Sequence, residues 1–516
     1  MKNKTYILFA CLASLTSQAQ ENDSIRIPDF MEPTVLKNIQ WNSPIQASRL
    51  NFQNYTQSGI QTNFANQNIK RTQTADEINN YQFITEGLYN FDNKLRVFGS
   101  FKYDNEIEKG LAYNLSSHRT NTSKVLKPNY YYSPSKGNWN NQKYNLVAGT
   151  SYEVVNNLFL GAVIHYDNFN FNRNSDPRPK NYGSDIDYKL QLGYQFKKHL
   201  VSVNYFQNIR KEENNIYYEN KTLNAATNPD YYIRYSSGYG YNIYNSFYSV
   251  YLDKTIVNGF GFDYSFKDLN NYFSLGYNYS KGKKNYFISN SNGGNTRPIE
   301  SDEFIKFSQT QNNHAVDAYY KHFGNSLPVE IMFSYNRDRW VNYVKESNSS
   351  NSYNTENDFF LQTTTTLNNS WVKSVGAKVN YNQIDVKDLF GITEKHNATL
   401  DFTIFAQKNL IFKNQTFYTH LGLGLITPTS NSLNYSPVSQ DQDFANNVIL
   451  KDNVYDNMTK WKGEVILGYD LPVKNGNIVR FKGHYQFING QSNEVEKELL
   501  MKGTSHSYGL GVSILY

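Results

Sequence analysis

The sequence predicts an all-β chain folded as a transmembrane antiparallel β-barrel of about 18 strands (16 to 18). Three observations carry the prediction: an export signal, segments of about ten residues alternating apolar and polar side chains, and connections alternating between short and long. Each is taken in chain order.

The first residues, MKNKTYILFACLASLTSQA, hold Lys2 and Lys4, an apolar stretch from Tyr6 to Leu15 and the small-x-small triplet Ser17-Gln18-Ala19. They read as a signal peptide, residues 1–19, cleaved after Ala19. Leu8-Phe9-Ala10-Cys11 loosely imitates a lipoprotein box, but only six residues separate Lys4 from Cys11. With Cys11 removed the mature chain has no cysteine, which excludes disulfide and thiolate chemistry. The formal charge of +6 falls to 6 − 2 = +4 without Lys2 and Lys4, too mild and dispersed for a nucleic-acid partner.

Residues 20–50 form a periplasmic N-terminal extension or a small plug. Pro28, Pro33 and Pro44 lie among Ile25, Ile27, Phe30, Met31 and Trp41, so the segment is a poor strand.

The barrel is assigned to residues 51–516. Mean hydropathy is −0.67, yet there are 44 Tyr and 33 Phe, so the chain is polar overall and aromatic throughout. No run of 18 apolar residues follows residue 20, which leaves strands to cross a bilayer. Leu95, Val97, Gly99, Phe101 and Tyr103 alternate with Arg96, Phe98, Ser100, Lys102 and Asp104. The same phase recurs from Ile186 to Phe196 opposite Asp187 and Lys189, and from Ala398 to Ala406 opposite Asp401. It returns from Trp461 to Leu471 opposite Lys462, Glu464 and Asp470, and from Val479 to Phe487 opposite Arg480, Lys482 and His484. One face suits hydrocarbon and the other needs water.

Tight turns are expected at Asp92-Asn93, Asn156-Asn157, Lys197-Lys198, Asp268 to Asn270 and Asn368 to Ser370. Long loops are expected near residues 105–141, 172–183, 214–256, 285–312 and 428–458. Short turns at one end and long loops at the other match the periplasmic and extracellular ends of outer-membrane barrels. In the last strand Tyr508, Leu510, Val512, Ile514 and Tyr516 share one face. That aromatic-ended pattern is similar to the signal by which the barrel-assembly machinery recognises its clients, and it would set the strand among outer-membrane lipid.

The Gln18-Ala19-Gln20 junction, the Ser43-Pro44 segment and the hairpin LYNFDNKLRVFGSFKYDN resemble an uncharacterised family of Bacteroidota-type outer-membrane barrels. The resemblance implies a nutrient-acquisition context, iron or haem uptake beside TonB-dependent receptors, and supplies no functional residue. The chain does not resemble a TonB-dependent receptor itself, which carries a plug domain of over a hundred residues, whereas strands here begin near residue 55.

Chemistry is sparse. His165, His420 and His484 share the polar parity, but no HxH or HxxxH spacing exists, so they read as solvated lumen histidines with no metal or cofactor. Ser505 and His506 are neighbours on a strand and face opposite ways, and Glu300, Asp302 and Glu303 read as a solvated acidic patch. No catalytic set emerges, and no enzyme is expected. NSNGGNTR, residues 290–297, lacks the lysine and hydroxyl of a phosphate loop.

Two functions remain. One is a channel or transporter for small solutes, with a lumen lined by Arg96, Lys102, Asp187, Lys189, His420, Lys462, Glu464, Arg480, Lys482 and His484. The alternative is a closed scaffold docking a surface lipoprotein or a TonB-dependent partner through PNYYYSPSKGNWNN and PDYYIRYSSGYGYNIYNSFY. Those tyrosines serve equally well as an aromatic girdle or as residues folding a loop into the barrel mouth.

Overall fold

In a computed structural model of the chain the described residues are 43–49, 54–91, 94–119, 125–220, 222, 229–244, 249–288, 299–323, 328–367, 372–436, 442–473, 476–492 and 501–516. The signal peptide, residues 20–42, the turn residues Asp92-Asn93 and Asn368 to Ser370, and the tip 290–297 lie outside them.

The strands are β1 (Tyr55–Asn66), β2 (Glu77–Phe91), β3 (Leu95–Leu111), β4 (Tyr130–Tyr132), β5 (Gly137–Val155), β6 (Leu158–Arg173) and β7 (Arg178–Phe196). Next come β8 (His199–Tyr217), β9 (Arg234–Ser236), β10 (Asn242–Tyr244), β11 (Ser249–Lys267), β12 (Asn271–Ile288), β13 (Ile305–His322) and β14 (Val329–Val344). The remainder are β15 (Ser349–Thr366), β16 (Ser374–Asp388), β17 (Thr393–Phe412), β18 (Gln415–Tyr435), β19 (Lys460–Pro472), β20 (Ile478–Gln491) and β21 (Lys502–Leu515).

All but β4, β9 and β10 join one 18-stranded sheet, closed where β1 pairs antiparallel with β21. Closure leaves no sheet edge, which is what hydrocarbon demands of a spanning β structure. Tyr516 extends the seam, its N–H donating to the Thr56 carbonyl at 2.9 Å.

The alternation read from the sequence is the alternation of exposure. Leu190, Leu192 and Tyr194 are exposed and Gln191 is buried; Phe402 and Ile404 are exposed and Thr403 is buried. On β21, Tyr508, Leu510, Val512 and Ile514 all project outward. Tyr508 stacks on Phe64 across the closing seam at 5.3 Å. We expect Tyr508→Ala to cost about 1 kcal/mol of barrel stability, the worth of one aromatic pair, as a shifted urea midpoint in lipid vesicles.

One expected long loop comes out differently. The segment 172–183 is a hairpin, β6 ending at Arg173 and β7 starting at Arg178, and the outer connections 345–348 and 389–392 are equally tight. Many strands run up to 19 or 21 residues, past what a bilayer needs. Ladder hydrogen bonds continue there while the lipid-facing pattern stops, so outer strand reads as loop from sequence.

The long connections fold inward into a lid. The mini-sheet β4–β9–β10 is joined by 113–115, whose Tyr113 and Leu115 N–H groups donate to the Ser133 and Tyr131 carbonyls, both at 2.8 Å. A helical segment made of Gln442–Phe444, the π-helical Ala445–Leu450 and Lys451–Asp456 packs against it. Tyr131, Trp139, Phe171, Tyr235 and Tyr251 form one buried core, and Tyr130, Tyr132, Tyr239, Phe444 and Val448 a second.

Candidate functional site

At the end of the short turns, Pro44–Ala47 is a single helical turn laid against the inner wall. Ile45 is fully buried in a socket made by two glycines: a Cβ on Gly161 would come within 2.9 Å of its Cγ1, and one on Gly193 within 3.1 Å of its Cγ2. Gln191 Oε1 accepts from the Ile45 N–H at 3.3 Å, while Gln191 Nε2 donates to Ser43 Oγ at 3.0 Å and to Asp263 Oδ2 at 2.9 Å. Arg49 holds the exit of the turn, its Nη2 donating to the Lys198 carbonyl at 2.9 Å. The turn is therefore keyed to β6, β7, the β7–β8 turn and β11 by shape and by hydrogen bonds.

Beside it opens a cavity of 460 Å³. Ser43 and Gln46 close one side, and Asp263, Asn278, Asp317 and Ser334 approach from the wall. Asp263 is buried, and its Oδ2 also accepts from Ser202 Oγ at 3.3 Å and Asn204 Nδ2 at 3.1 Å. Sequence reasoning missed Asp263 and Asp317. The available signal was that each is an acid on the polar parity of its strand, and nothing in sequence joined them to Gln46.

The expected lumen residues are spread around the wall. Asp187 and Lys189 lie on the strand that carries Gln191. Lys102 pairs with Asp104 at 3.0 Å and Lys462 with Asp401 at 2.5 Å. Arg480 is buried and doubly hydrogen-bonded to Asp470 at 2.7 Å, with Tyr418 donating to the same carboxylate. These ion pairs cancel much of the charge that the sequence offered as a selectivity field. Arg96 is buried, its Nε donating to Asn90 Oδ1 at 2.6 Å.

His420 is buried, stacked on Phe405 at 5.2 Å. His484 leans over Gly509, and Ile466 on β19 stands between the two histidines in the register, with Glu464 on the same strand. Two strand spacings, about 9.6 Å, keep them from converging. His165 sits opposite Asp187 in the ladder. Ser505 Oγ accepts from the Ile69 N–H whereas His506 meets Tyr485, so the two diverge as their parity requires. Glu300, Asp302 and Glu303 are exposed, and Glu300 is paired with Lys211 and Lys254 at the surface. Lys482 lies on the wall strand β20.

Among the described residues one group has metal-ligand proximity, His118 with Glu212 and Asp253. A cation already stands there: the Lys284 ammonium is 3.1 Å from both His118 Nε2 and Asp253 Oδ2, and Arg210 donates to Glu212 at 3.0 Å. The arrangement is a balanced lid anchor. Desolvation, then Lys284 and neighbouring cations, pushes the His118 imidazole well below its usual range. A depressed folded-state pKa gives stability that is present above the unfolded value, about 6.5, and lost as pH falls below it. We expect hydrogen-exchange protection of residues 113–119 to drop on acidification from pH 7 to 5, and His118→Gln to flatten that dependence.

The tyrosine-rich segments are largely interior. Tyr130, Tyr131, Tyr132, Tyr235 and Tyr239 are buried, and wall amides hold the lid backbone. Asn181 and Asn214 donate to the Leu115 carbonyl at 3.2 and 2.9 Å, and Asn342 and Asn351 to the Ser237 carbonyl at 3.0 and 2.7 Å. In this arrangement those five tyrosines help fold the connections into the barrel mouth, whereas Tyr232 of the second segment is exposed.

A second anchor is a buried four-charge cluster. Arg71 in the β1–β2 connection pairs with Asp452 and Asp456 of the helical segment, and Lys395 of β17 meets Asp456 at 2.5 Å. Burial opposes ionisation of both acids; at Asp452 it wins and raises the pKa, whereas Arg71 and Lys395 hold Asp456 below the usual carboxylate range. Arg71 itself is held even more firmly protonated, because the two carboxylates outweigh its desolvation.

A closed barrel with an apolar outer face and a polar, partly filled interior defines an outer-membrane β-barrel protein. Residues 44–516 match the model of a family of unknown function, DUF6850, and the chain belongs to that family. No curated protein matches. Among solved structures the chain is similar to the outer-membrane transporter YddB from Escherichia coli, with 6% identity, a TM-score of 0.37 and coverage of 90% of this chain and 81% of that one. It is also similar to the ferric yersiniabactin uptake receptor FyuA from Yersinia pestis, with 6% identity, a TM-score of 0.40 and coverage of 90% and 80%. Likewise it is similar to BauA, the ferric preacinetobactin receptor from Acinetobacter baumannii, with 8% identity, a TM-score of 0.37 and coverage of 90% and 80%. Nothing about this chain's solute follows from likeness at that level.

Proposed function

We propose that the protein is a gated outer-membrane transport barrel for a small polar solute. The observation that supports this most is the 460 Å³ cavity between the N-terminal turn and the wall, of the size that small-molecule sites have and lined by converging polar groups. The lid, with its own aromatic cores and ionic anchors, is the gate in this reading. An iron or haem context is the weaker extension, since the cavity's donors are carboxylates, amides and hydroxyls with no histidine.

The test is conductance in planar bilayers of the refolded chain from residue 20, beside a version lacking residues 21–49 and one with the lid released by Arg71→Ala. The reading expects a quiet intact chain and steps from at least one variant. Silence from all three would overturn it and leave a closed scaffold that binds a partner.

A further inference from the structure

We propose that the cavity beside Gln46 is a binding site for small organic ammonium compounds, held between the N-terminal turn and the wall carboxylates. The proposal rests on the transport reading and names its substrate class. Two features of the site, independent of each other, point to a ligand.

The first is the turn. Gln46 is 2% exposed, and neither its Oε1 nor its Nε2 has a hydrogen-bond partner. A buried amide left unmatched costs about 1–3 kcal/mol, and this one belongs to a residue that lines the cavity. Leucine would fill the same volume without that cost. The Gln46 carbonyl oxygen of the main chain is already satisfied by Tyr272 at 3.3 Å, so the unmet demand belongs to the side chain alone.

The second is the wall. Asp263 and Asp317 both border the cavity, and the three donors on Asp263 all go to Oδ2. Asp263 Oδ1 reaches over Gly276, where a Cβ would meet it at 2.8 Å. Asn278 adds a further acceptor, its Oδ1 lacking a partner. Two carboxylates thus border the space, and among the described residues Lys189 is the cation whose field both of them feel. An anion is repelled by the two carboxylates. A primary ammonium, with three N–H donors and a positive charge, is matched by this set, with Tyr319, Met332 and Phe360 available to the ligand's carbon skeleton.

The experiment is calorimetric titration of the full mature chain in detergent with 2-phenylethylamine, putrescine and choline, and with 2-phenylethanol as the uncharged match of the first. The expected result is saturable binding of at least one ammonium probe, about ten-fold or more tighter than the alcohol, and weakened about ten-fold or more by Asp317→Asn. Gln46→Leu, which leaves the wall untouched, guards against misfolding of the aspartate variant and is expected to weaken binding as well. No saturable binding of any of the three cations, equal binding of amine and alcohol, or affinity unchanged in both variants would overturn the site. The same preparations are taken to the bilayer assay: conductance without ammonium binding removes this site and keeps the transport reading, whereas binding without conductance in any variant keeps the site and removes transport.

Discussion

Replacing Arg71 with alanine is expected to undock the helical segment of the lid. Arg71 is the hub of a cluster in which two acids, Asp452 and Asp456, are balanced by itself and Lys395, all four nearly inaccessible to water. Removing one partner from such a group leaves a buried carboxylate without its counter-charge, at a cost of about 3–5 kcal/mol. The penalty falls on local structure first, because the wall is held by its own closed ladder of backbone hydrogen bonds, to which the helical segment does not belong. Amides of residues 442–456 should lose hydrogen-exchange protection by two to three orders of magnitude, about what that energy allows, while β19 and β20 keep theirs. Uniform loss across the wall strands would show that the cluster stabilises the barrel as a whole and does not act as a latch.

Replacing Ile45 with aspartate is expected to lift the N-terminal turn from its socket. The isoleucine fills a space that Gly161 and Gly193 leave open, and burial of such a side chain is worth about 1.5–3 kcal/mol. Aspartate forfeits that and sets a second carboxylate near Asp263, so a total of about 3 kcal/mol or more favours release. In a Cys11→Ser background, which has no other cysteine, Ser48→Cys reports the event by maleimide labelling. Labelling should be slow with Ile45 in place and fast with aspartate. Gly161→Leu, acting on the socket from the wall side, should give the same result if shape is what holds the turn.

The barrel was legible because lipid imposes a period-two pattern that no local propensity can blur. Leu190, Leu192 and Tyr194 announce their face without reference to any other strand, as do Tyr508, Leu510 and Val512. The lid was not legible, because Tyr131 and Tyr235 are buried by partners from distant connections, and nothing in PNYYYSPSKGNWNN distinguishes an aromatic that will be covered from one that will not. The cavity was hidden for a related reason: Gln46, Asp263 and Asp317 each look like ordinary polar residues, and their meeting depends on the pairing of β11, β12 and β13 and on the docking of the N-terminal turn. Lys102, Lys462 and Arg480 read from sequence as separate lumen charges, whereas their ion pairs with Asp104, Asp401 and Asp470 depend on rotamers and cross-strand neighbours that a list of charges does not contain.

The asparagines that hold the lid imply an order of assembly. The Leu115 carbonyl is claimed by β7 and β8, and the Ser237 carbonyl by β14 and β15, strands that lie far along the chain from one another. Residues 113–119 and 234–241 therefore leave the translocation machinery long before the amides that will bind the later carbonyl exist in place. Until the wall has curled far enough to present both sets, these segments have no template and must wait as solvated loops on the far side of the membrane. Pairing β1 with β21 is the longest-range contact of the wall and contacts of that range are slow to form, so we expect the lid to condense after the ring closes. A barrel stalled short of the β1–β21 seam would be an open trough with an unformed cover, so for this chain completion of the wall and closure of its mouth are successive consequences of the same event.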